Sequence, residues 1–586
     1  MNTRSTTNAQ VDSQMPTRPP RPVNGTANTR PDPVNAGSSG VNARPDSVNA
    51  GPGAVNGRSG AVNTRSRPVN NGPSGRSSGG GEESGKKPPA AARIVDMARQ
   101  HYVFVLSTDG RPYAVAADGP NIALPLRGRS GLRQRLARMF ADANPGEVAS
   151  QSALADAMTV LEGMAESTDP VPVHLRVGRS PTGAIVVDLG TADGRAVVAT
   201  ATGWNTVDRS PVLFRRSGAM APMPEPVLDG DGLAKLHSLL NMDTPAFHQL
   251  IAWLVAAWIP DIPHPALVCK GEQGTGKSKA AQMFINLIDP SPAAKRSQPR
   301  DEKAWSRQAF SSWALCLDNI STIPPWLSDT LCKAVTGDGV VDRALYTDDD
   351  VVVLTFKRVL AMTTIDAGAL AGDLAERVLL LDLQLIDATR RRSEEELDAT
   401  FEAVRPAVLG ALFDVLACVL AVLPTVRLES MPRMADFARV LAAVDATQGW
   451  TTLDDYLDTS ANVATDALEG DPFAMALASL VDQAGTWRGT AAQLLEALPV
   501  PGMVRPPNWP KDATRAGGRV KRLAPLLRSI GITVDDTQRS RDRHRHKLLI
   551  LTRTDPDTPP ASTPDQVELW QPRPPHDPGG TGPYQH

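Results

Sequence analysis

Apolar side chains are spread very unevenly along this chain. Residues 1 to about 92 are mainly Pro, Gly, Asn, Ser and Arg, with almost no large apolar residues. Val-Asn recurs there at Val34, Val41, Val48, Val55, Val62 and Val69, a period of seven. A coiled coil needs two apolar positions per heptad. Only one modest apolar residue recurs, and Gly and Pro lie between the copies. Such a segment cannot bury enough surface to offset its ordering entropy, so a disordered tail is expected over 1–92. The Pro-rich stretch 555–586 predicts a second one.

Between these tails the pattern becomes periodic. Residues 129–142 and 150–165 carry apolar positions at helical spacing. Val171–Val177, Ala184–Leu189, Ala196–Thr202 and Val212–Phe214 read as strands, with turns at Ser180-Pro-Thr-Gly183 and Ala192-Asp-Gly194. A small α+β domain with a β-meander is therefore expected over 93–226. Asp188 reads there as a strand-end acid. Residues 231–258 turn helical and stop at Pro260, Pro263 and Pro265. Residues 393–446 are again helical and are expected to pack on a core spanning 227–446.

The segment after those prolines carries the chemistry. Ala266–Lys270 is a short apolar strand, Gly271-Glu-Gln-Gly-Thr-Gly-Lys-Ser278 follows directly, and Lys279–Ile288 reads as a helix with Ala281, Met283, Phe284 and Leu287 on its buried side. Strand, GxxxxGK[ST], helix is the context of a phosphate-binding loop. Gly274 and Gly276 let the backbone curl so that N–H groups converge on phosphates at a helix N-terminus. Gly271 opens the loop and Thr275 lies within it. Lys277 reaches the β- and γ-phosphates of ATP, and the Ser278 hydroxyl is placed for Mg²⁺. Trp313–Leu317 forms a second apolar strand ending in Asp318, the candidate for the second Mg²⁺ position. Asn319 follows it, where many such enzymes carry a catalytic acid. The general base is unassigned, with Asp301 and Glu302 upstream as alternatives.

Composition narrows this reading without changing it. With 586 residues, 41% of them apolar, the chain has material for two to four domains. A net charge of −3 confines any nucleic-acid surface to local patches. Cys269, Cys316, Cys332 and Cys418 have neither metal-ligand spacing nor disulfide density, and read as reduced, buried thiols. The N-terminus has no apolar signal core. Ala407–Leu423 is interrupted by Asp414 and stops at Pro424, so it reads as a buried helix rather than a membrane span. No membrane partner and a cytoplasmic location are expected.

With both nucleotide motifs in place, residues from about 231 to 425 resemble the superfamily 3 helicase-like ATPases, AAA+-related motors of phage, plasmid and viral primase-helicases. Within that class the stretch looks most like the ATP-binding proteins of bacterial mobile elements. The resemblance runs through Pro324-Pro-Trp-Leu-Ser-Asp329, Thr336-Gly-Asp-Gly339, Arg343-Ala-Leu-Tyr-Thr-Asp-Asp-Asp350, Val351–Phe356, Arg358–Ile365 and Asp373-Leu-Ala-Glu-Arg377 before the strand Val378–Leu383. It implies an α/β fold with a P-loop AAA+-like ATPase core, using ATP and Mg²⁺. It implies that Thr363 ends the sensor strand, and that Arg377 reaches a neighbour's γ-phosphate in a homo-oligomer, in this family a hexamer. Two departures stand out. The family usually has Asn where Thr363 stands, and the threonine hydroxyl would orient a water only more weakly. Its pore hairpin usually carries Lys or His, whereas Asp348–Asp350 would repel phosphates.

The stretch 447–554 contributes three helices (Pro472–Gln483, Gly489–Ala497, Ala516–Ile530) and two strands (Ile532–Val534, Leu548–Thr552) around a basic loop. This resembles the winged helix at the end of many primase-helicases. A helix in the major groove with a wing on the backbone is a coherent geometry, and Arg519, Arg522, Arg541, Arg543, Arg545 and Lys547 are the candidate DNA contacts. The leading expectation is an ATPase acting on DNA in mobile-element replication. The alternative is a nucleotide-gated DNA-binding regulator with little or no hydrolysis. A P-loop kinase fits the later motifs poorly. Residues 93–226 supply no paired carboxylates for priming, so a separate primase is the expected partner for that step.

Overall fold

The computed structural model describes residues 87–127, 131–337, 339–343, 351–355, 357–365, 372–500, 506, 509–540 and 545–554. Both expected tails lie almost wholly outside them. The N-terminal part comprises α1 (Ala90–His101), β1 (Tyr102–Leu106), β2 (Pro112–Ala116), β3 (Ile122–Pro125), α2 (Leu132–Ala143) and α3 (Gln151–Glu166). Helix α1 thus begins at Ala90, inside the stretch assigned to the tail. Six short strands follow: β4 (Val173–His174), β5 (Val177–Arg179), β6 (Ile185–Asp188), β7 (Ala196–Thr200), β8 (Gly203–Val207) and β9 (Leu213–Arg215).

The central part runs α4 (Gly232–His237), α5 (Thr244–Ala256), β10 (Ala266–Lys270), α6 (Lys277–Ile288), β11 (Lys295–Arg296), α7 (Glu302–Ser311), β12 (Ala314–Leu317), α8 (Pro325–Thr336), β13 (Gly339–Arg343), β14 (Val351–Thr355), β15 (Val359–Thr364), α9 (Gly372–Ala375) and β16 (Val378–Asp382). Helices α10 (Glu394–Val422), α11 (Ala435–Gln448) and α12 (Thr452–Glu469) complete it. The last part is α13 (Pro472–Ala484), β17 (Thr486–Gly489), α14 (Ala491–Ala497), α15 (Ala513–Ser529), β18 (Ile532–Asp535) and β19 (Leu549–Arg553).

Side-chain caps fix many helix starts. Ser150, Asp243, Asp301, Ser393 and Asp512 each accept a backbone N–H from the first turn, and Thr490 with Gln493 forms a reciprocal capping box.

The central sheet has the order β11-β12-β15-β10-β16, and every pairing is parallel. Counted from β10 as the first strand, the order is 5-1-4-3-2. Its strands β10, β12 and β15 are buried on both faces and read as near-continuous apolar runs, as a sheet covered by helices requires, while the edge strand β11 is Lys295-Arg296. The last part has the order helix, strand, helix, helix, strand, strand, with β19 between β17 and β18 in an antiparallel sheet. Strand β17 was not expected from the sequence.

The stretch 93–226, expected as one small domain, divides in two. Ile94, Leu132, Phe140 and Leu161 form a separate apolar cluster under β1–β3. The antiparallel meander β5–β8 instead turns Val177, Ile185, Val187 and Val197 into the same core as α5 and the central sheet. Asp188 is more than a strand-end acid: it is 1% exposed and pairs with Arg216 at 2.7 Å.

The meander is also fastened by charge. Arg176, fully buried, donates through Nε to Asp289 Oδ1 at 2.8 Å, and through its other nitrogens to the carbonyls of Asp188 and Ala221 at 2.9 and 2.8 Å. The second Asp289 oxygen accepts from the backbone N–H of Trp313 at 2.7 Å and of Ala314 at 3.2 Å. Asp289 is the residue that ends α6.

Helix α10 is the one described helix long and apolar enough to cross a membrane, and 61% of its most apolar window is buried inside the fold. Asp414, which interrupts its apolar run, accepts a hydrogen bond from Trp204 Nε1 at 2.8 Å. Cys269, Cys316 and Cys332 are buried as expected, and burial pushes the Cys269 thiol up to about 12. Cys418 departs from that expectation: it lies on an exposed side of α10.

Removing one member of a buried, fully hydrogen-bonded ion pair strands the other. The Asp289→Ala variant should therefore lose about 3–5 kcal/mol of stability in denaturant unfolding. In Arg176→Met/Asp289→Ala the loss should be smaller than the sum of the single losses, because the two residues share one interaction.

Candidate nucleotide site

The loop 271–276 leaves the carboxyl end of β10 and enters α6. Gly274 and Gly276 have φ of 95° and 78°, left-handed values that disfavour any side chain. Gly271 is constrained by space: a Cβ there would lie 2.7 Å from Thr275 Oγ1 and 2.9 Å from the Leu383 carbonyl oxygen. Thr275, buried, donates its hydroxyl to the Glu272 carbonyl at 3.0 Å, and Lys277 Nζ donates to the same carbonyl at 3.0 Å. The ammonium is thereby held over the loop. Ser278 is half-buried in the first turn of α6, where backbone N–H groups have no helical acceptor.

Sheet order brings the second acid to the same edge. Strand β15 lies between β10 and β12, with Cys269 opposite Thr363 and Leu317 opposite Met362. Asp318 thus emerges beside Thr363, one strand away from the loop. Ligands of open parallel sheets bind beyond the carboxyl ends of the strands.

Thr363 departs from its expected task. Its hydroxyl, completely buried, donates to Asp318 Oδ1 at 2.6 Å and accepts the Asn319 N–H at 2.7 Å. The Ile320 N–H donates to the Thr363 carbonyl at 2.8 Å. A hydroxyl has one proton, and here it is committed to the carboxylate. Thr363 therefore fixes Asp318 rather than orienting a water. Asn319 has a positive φ of 58°, unusual outside glycine, and is exposed.

Arg377 lies inside the fold. It is 7% exposed, forms an ion pair with Asp373, and donates to the Asp373 carbonyl at 3.0 Å. To meet a neighbouring subunit's phosphate it would have to leave these contacts. Asp348–Asp350 lie outside the described residues, and only the flanking strands β13 and β14 are seen to pair.

The basic candidates of the last part are sorted by their partners. Arg519 pairs with Asp471 at 2.6 Å and is half-buried. Lys547 and Lys521 both bind Asp536, at 2.9 and 2.5 Å, and these ammonium groups pull its carboxyl down to about 2. Arg522 and Arg545 are exposed and have no ion-pair partner among the described residues. Arg541 and Arg543 lie outside the described residues. Sequence reading had no signal for Asp471 and Asp536 as partners, since both pairings are tertiary.

Fold and loop together define a mixed α/β protein with a glycine-rich loop at the carboxyl edge of a five-stranded parallel sheet. Comparison with known families is more specific. Residues 231–466 match the family described as actinomycete integrative conjugative element replication protein, and residues 473–564 match the AICE RepA C-terminal domain. These two matches place the chain with mobile-element replication proteins. No curated relative matches it. Solved structures similar to it include one described as "SCCmec type IV Cch - active helicase", at 11% identity and TM-score 0.38, covering 77% of this chain and 93% of that one. The apo NrS-1 C-terminal region gives 10% and 0.32, covering 68% and 83%. The JCV helicase gives 13% and 0.22, covering 40% and 64%. At these TM-scores the likenesses carry no argument about this site.

Thr363→Val keeps the shape but removes both hydrogen bonds. It should cost about 1–3 kcal/mol in unfolding free energy, the usual cost of stranding buried polar groups. It should also raise the Mg²⁺ concentration needed for nucleotide binding, whereas Thr363→Ser, which keeps the hydroxyl, should leave that concentration unchanged. Unchanged Mg²⁺ titration in Thr363→Val would remove Thr363 from the site.

Proposed function

We propose that this mobile-element replication protein binds Mg²⁺-ATP at residues 271–278, hydrolyses it, and uses it while bound to DNA. The observation that carries this reading is the strand order. It sets a loop with two left-handed glycines and Asp318 on one edge of a parallel sheet, with Thr363 between them.

The residues fit the group. Mg²⁺ commonly takes one or two protein ligands beside phosphates and waters. Ser278 and Asp318 are of the right chemistry for that, and the ion would neutralise phosphate charge. Backbone N–H groups of 274–278 would bind the phosphates, and Lys277 would exchange the Glu272 carbonyl for the terminal ones. Asp318 is held in one orientation by Thr363 before any ligand arrives.

Residues 472–553 support a DNA-binding role. Their helix, strand, helix, helix, strand, strand order agrees with a winged helix, with α15 as the reading helix and the loop 536–548 as the wing. Assembly into a ring belongs to the same proposal, with Arg377 freed from Asp373 at a subunit boundary. A separate primase would supply primers.

One observation favours a second reading, a nucleotide-gated switch with little turnover. Asp318 is followed by an amide, Asn319, and the hydroxyl nearest to it is committed to the carboxylate.

ATP turnover by the full chain, with and without single- and double-stranded DNA, separates the two. Under the leading reading the wild type turns over, DNA raises the rate, and Lys277→Ala lowers it at least about 100-fold, as loss of a transition-state phosphate contact does. Binding of ATP without turnover, with duplex affinity lost in Lys277→Ala, selects the switch. Absence of ATP binding rejects both. In parallel, Arg522→Ala/Arg545→Ala should weaken duplex binding and flatten its salt dependence while leaving ATP affinity in the absence of DNA unchanged.

A further inference from the structure

Strand β16 does not lead straight into α10. Residues 383–392 first cross the glycine-rich loop, and their course is fixed at both ends. At the start, the Leu383 N–H donates to the Lys270 carbonyl at 2.9 Å, and the Gln384 N–H to the Asn241 carbonyl at 3.0 Å. At the far end, Ser393 caps α10, and Asp398 in its first turns pairs with Lys279 of α6 at 2.6 Å. One tether is therefore the last residue of the strand before the loop. The other lies in the first turn of the helix after it. Between them Asp387 accepts the Thr389 N–H at 2.8 Å and shapes a short 3-10 turn.

This strap meets the loop at three points. The Leu383 carbonyl lies over Gly271 and the Ile386 side chain over Gly276, 2.9 and 3.2 Å from where their Cβ atoms would be. At Gly274 the neighbour is the guanidinium of Arg391, 3.6 Å from the Cβ position. Arg391 is exposed and makes no hydrogen bond or ion pair among the described residues. A guanidinium has five donors in a planar fork suited to phosphate oxygens. This one stands over the loop's backbone with none of them committed among the described residues, while Arg377 is engaged inside the fold.

We infer that Arg391 is a phosphate-binding residue of the same subunit, delivered to the nucleotide by the strap 383–392. The inference rests on the nucleotide reading of residues 271–278 and adds a second cation to Lys277 at the loop. It makes charge neutralisation at the loop independent of a neighbouring subunit.

The test is isothermal titration of the full chain with Mg²⁺-ATP and Mg²⁺-ADP. Arg391→Ala and Arg391→Gln should both bind nucleotide about 10- to 100-fold more weakly than the wild type, the usual effect of losing a charge-assisted hydrogen bond. Gln keeps a hydrogen-bonding amide on a shorter stem but no charge, so it must fail like Ala. Thermal midpoints of both should match the wild type, because the side chain makes no hydrogen bond or ion pair among the described residues. Wild-type affinity in either variant overturns the inference while the nucleotide reading stands. Equal loss of affinity accompanied by a lowered midpoint assigns Arg391 to structure and also overturns it. A wild type that binds neither nucleotide sinks the nucleotide reading itself.

Discussion

The ion pair between Arg176 and Asp289 joins three parts of the molecule at one buried point. Arg176 precedes the meander β5–β8, Asp289 closes the helix that follows the glycine-rich loop, and the backbone N–H groups of Trp313 and Ala314 begin the strand that ends in Asp318. Two charges of this kind are costly to desolvate, and only complete hydrogen bonding makes them tolerable. Here every described contact is made. The consequence is geometric. The far end of α6 and the near end of β12 are held to the same carboxylate, so the loop and the acid at the opposite ends of these elements keep a fixed separation. The meander, which contributes no candidate chemistry of its own, is part of that frame.

The carboxyl edge of the central sheet is built on the same economy of polar groups. Thr363 sits fully buried between the glycine-rich strand and the strand of Asp318, and its hydroxyl serves a carboxylate and an amide at once. The candidate site is therefore organised without a ligand, which is what electrostatic stabilisation of phosphate charge would require. Opposite this rigid edge lies the strap 383–392, tethered at both ends yet carrying an exposed arginine.

At the C-terminal part, surface charge is more balanced than composition suggests. Asp471 holds Arg519 and Asp536 holds Lys521 and Lys547, which leaves Arg522 and Arg545 as uncommitted cations among the described candidates. Helix α15 also packs against α9 and α12, so the basic helix and the segment carrying Arg377 share one core.

The strands at 351–355 and 359–364 were read through the family resemblance, and β13 was not anticipated; local pattern by itself determined the strand 266–270, the loop and helix after it, the strand at 314–317, and the helices at 472–484 and 513–529. In each, a run or period of apolar residues is bounded by Gly, Pro or a capping side chain, and that information is local. Tyr102–Leu106 has the β-branched and aromatic content of a strand but escaped the periodicity reading; β17 is too short to announce itself. Only the tertiary structure decided that Thr363 serves Asp318, that Arg377 is buried on Asp373, that Asp536 pairs with two lysines, and that Arg391 stands over Gly274. The reason is physical: a hydroxyl proton or a guanidinium goes to whichever acceptor the fold brings within about 3 Å, and partners such as Arg176 and Asp289 are 113 residues apart in the chain. Residue type limits what a side chain can bind, and only packing selects the partner.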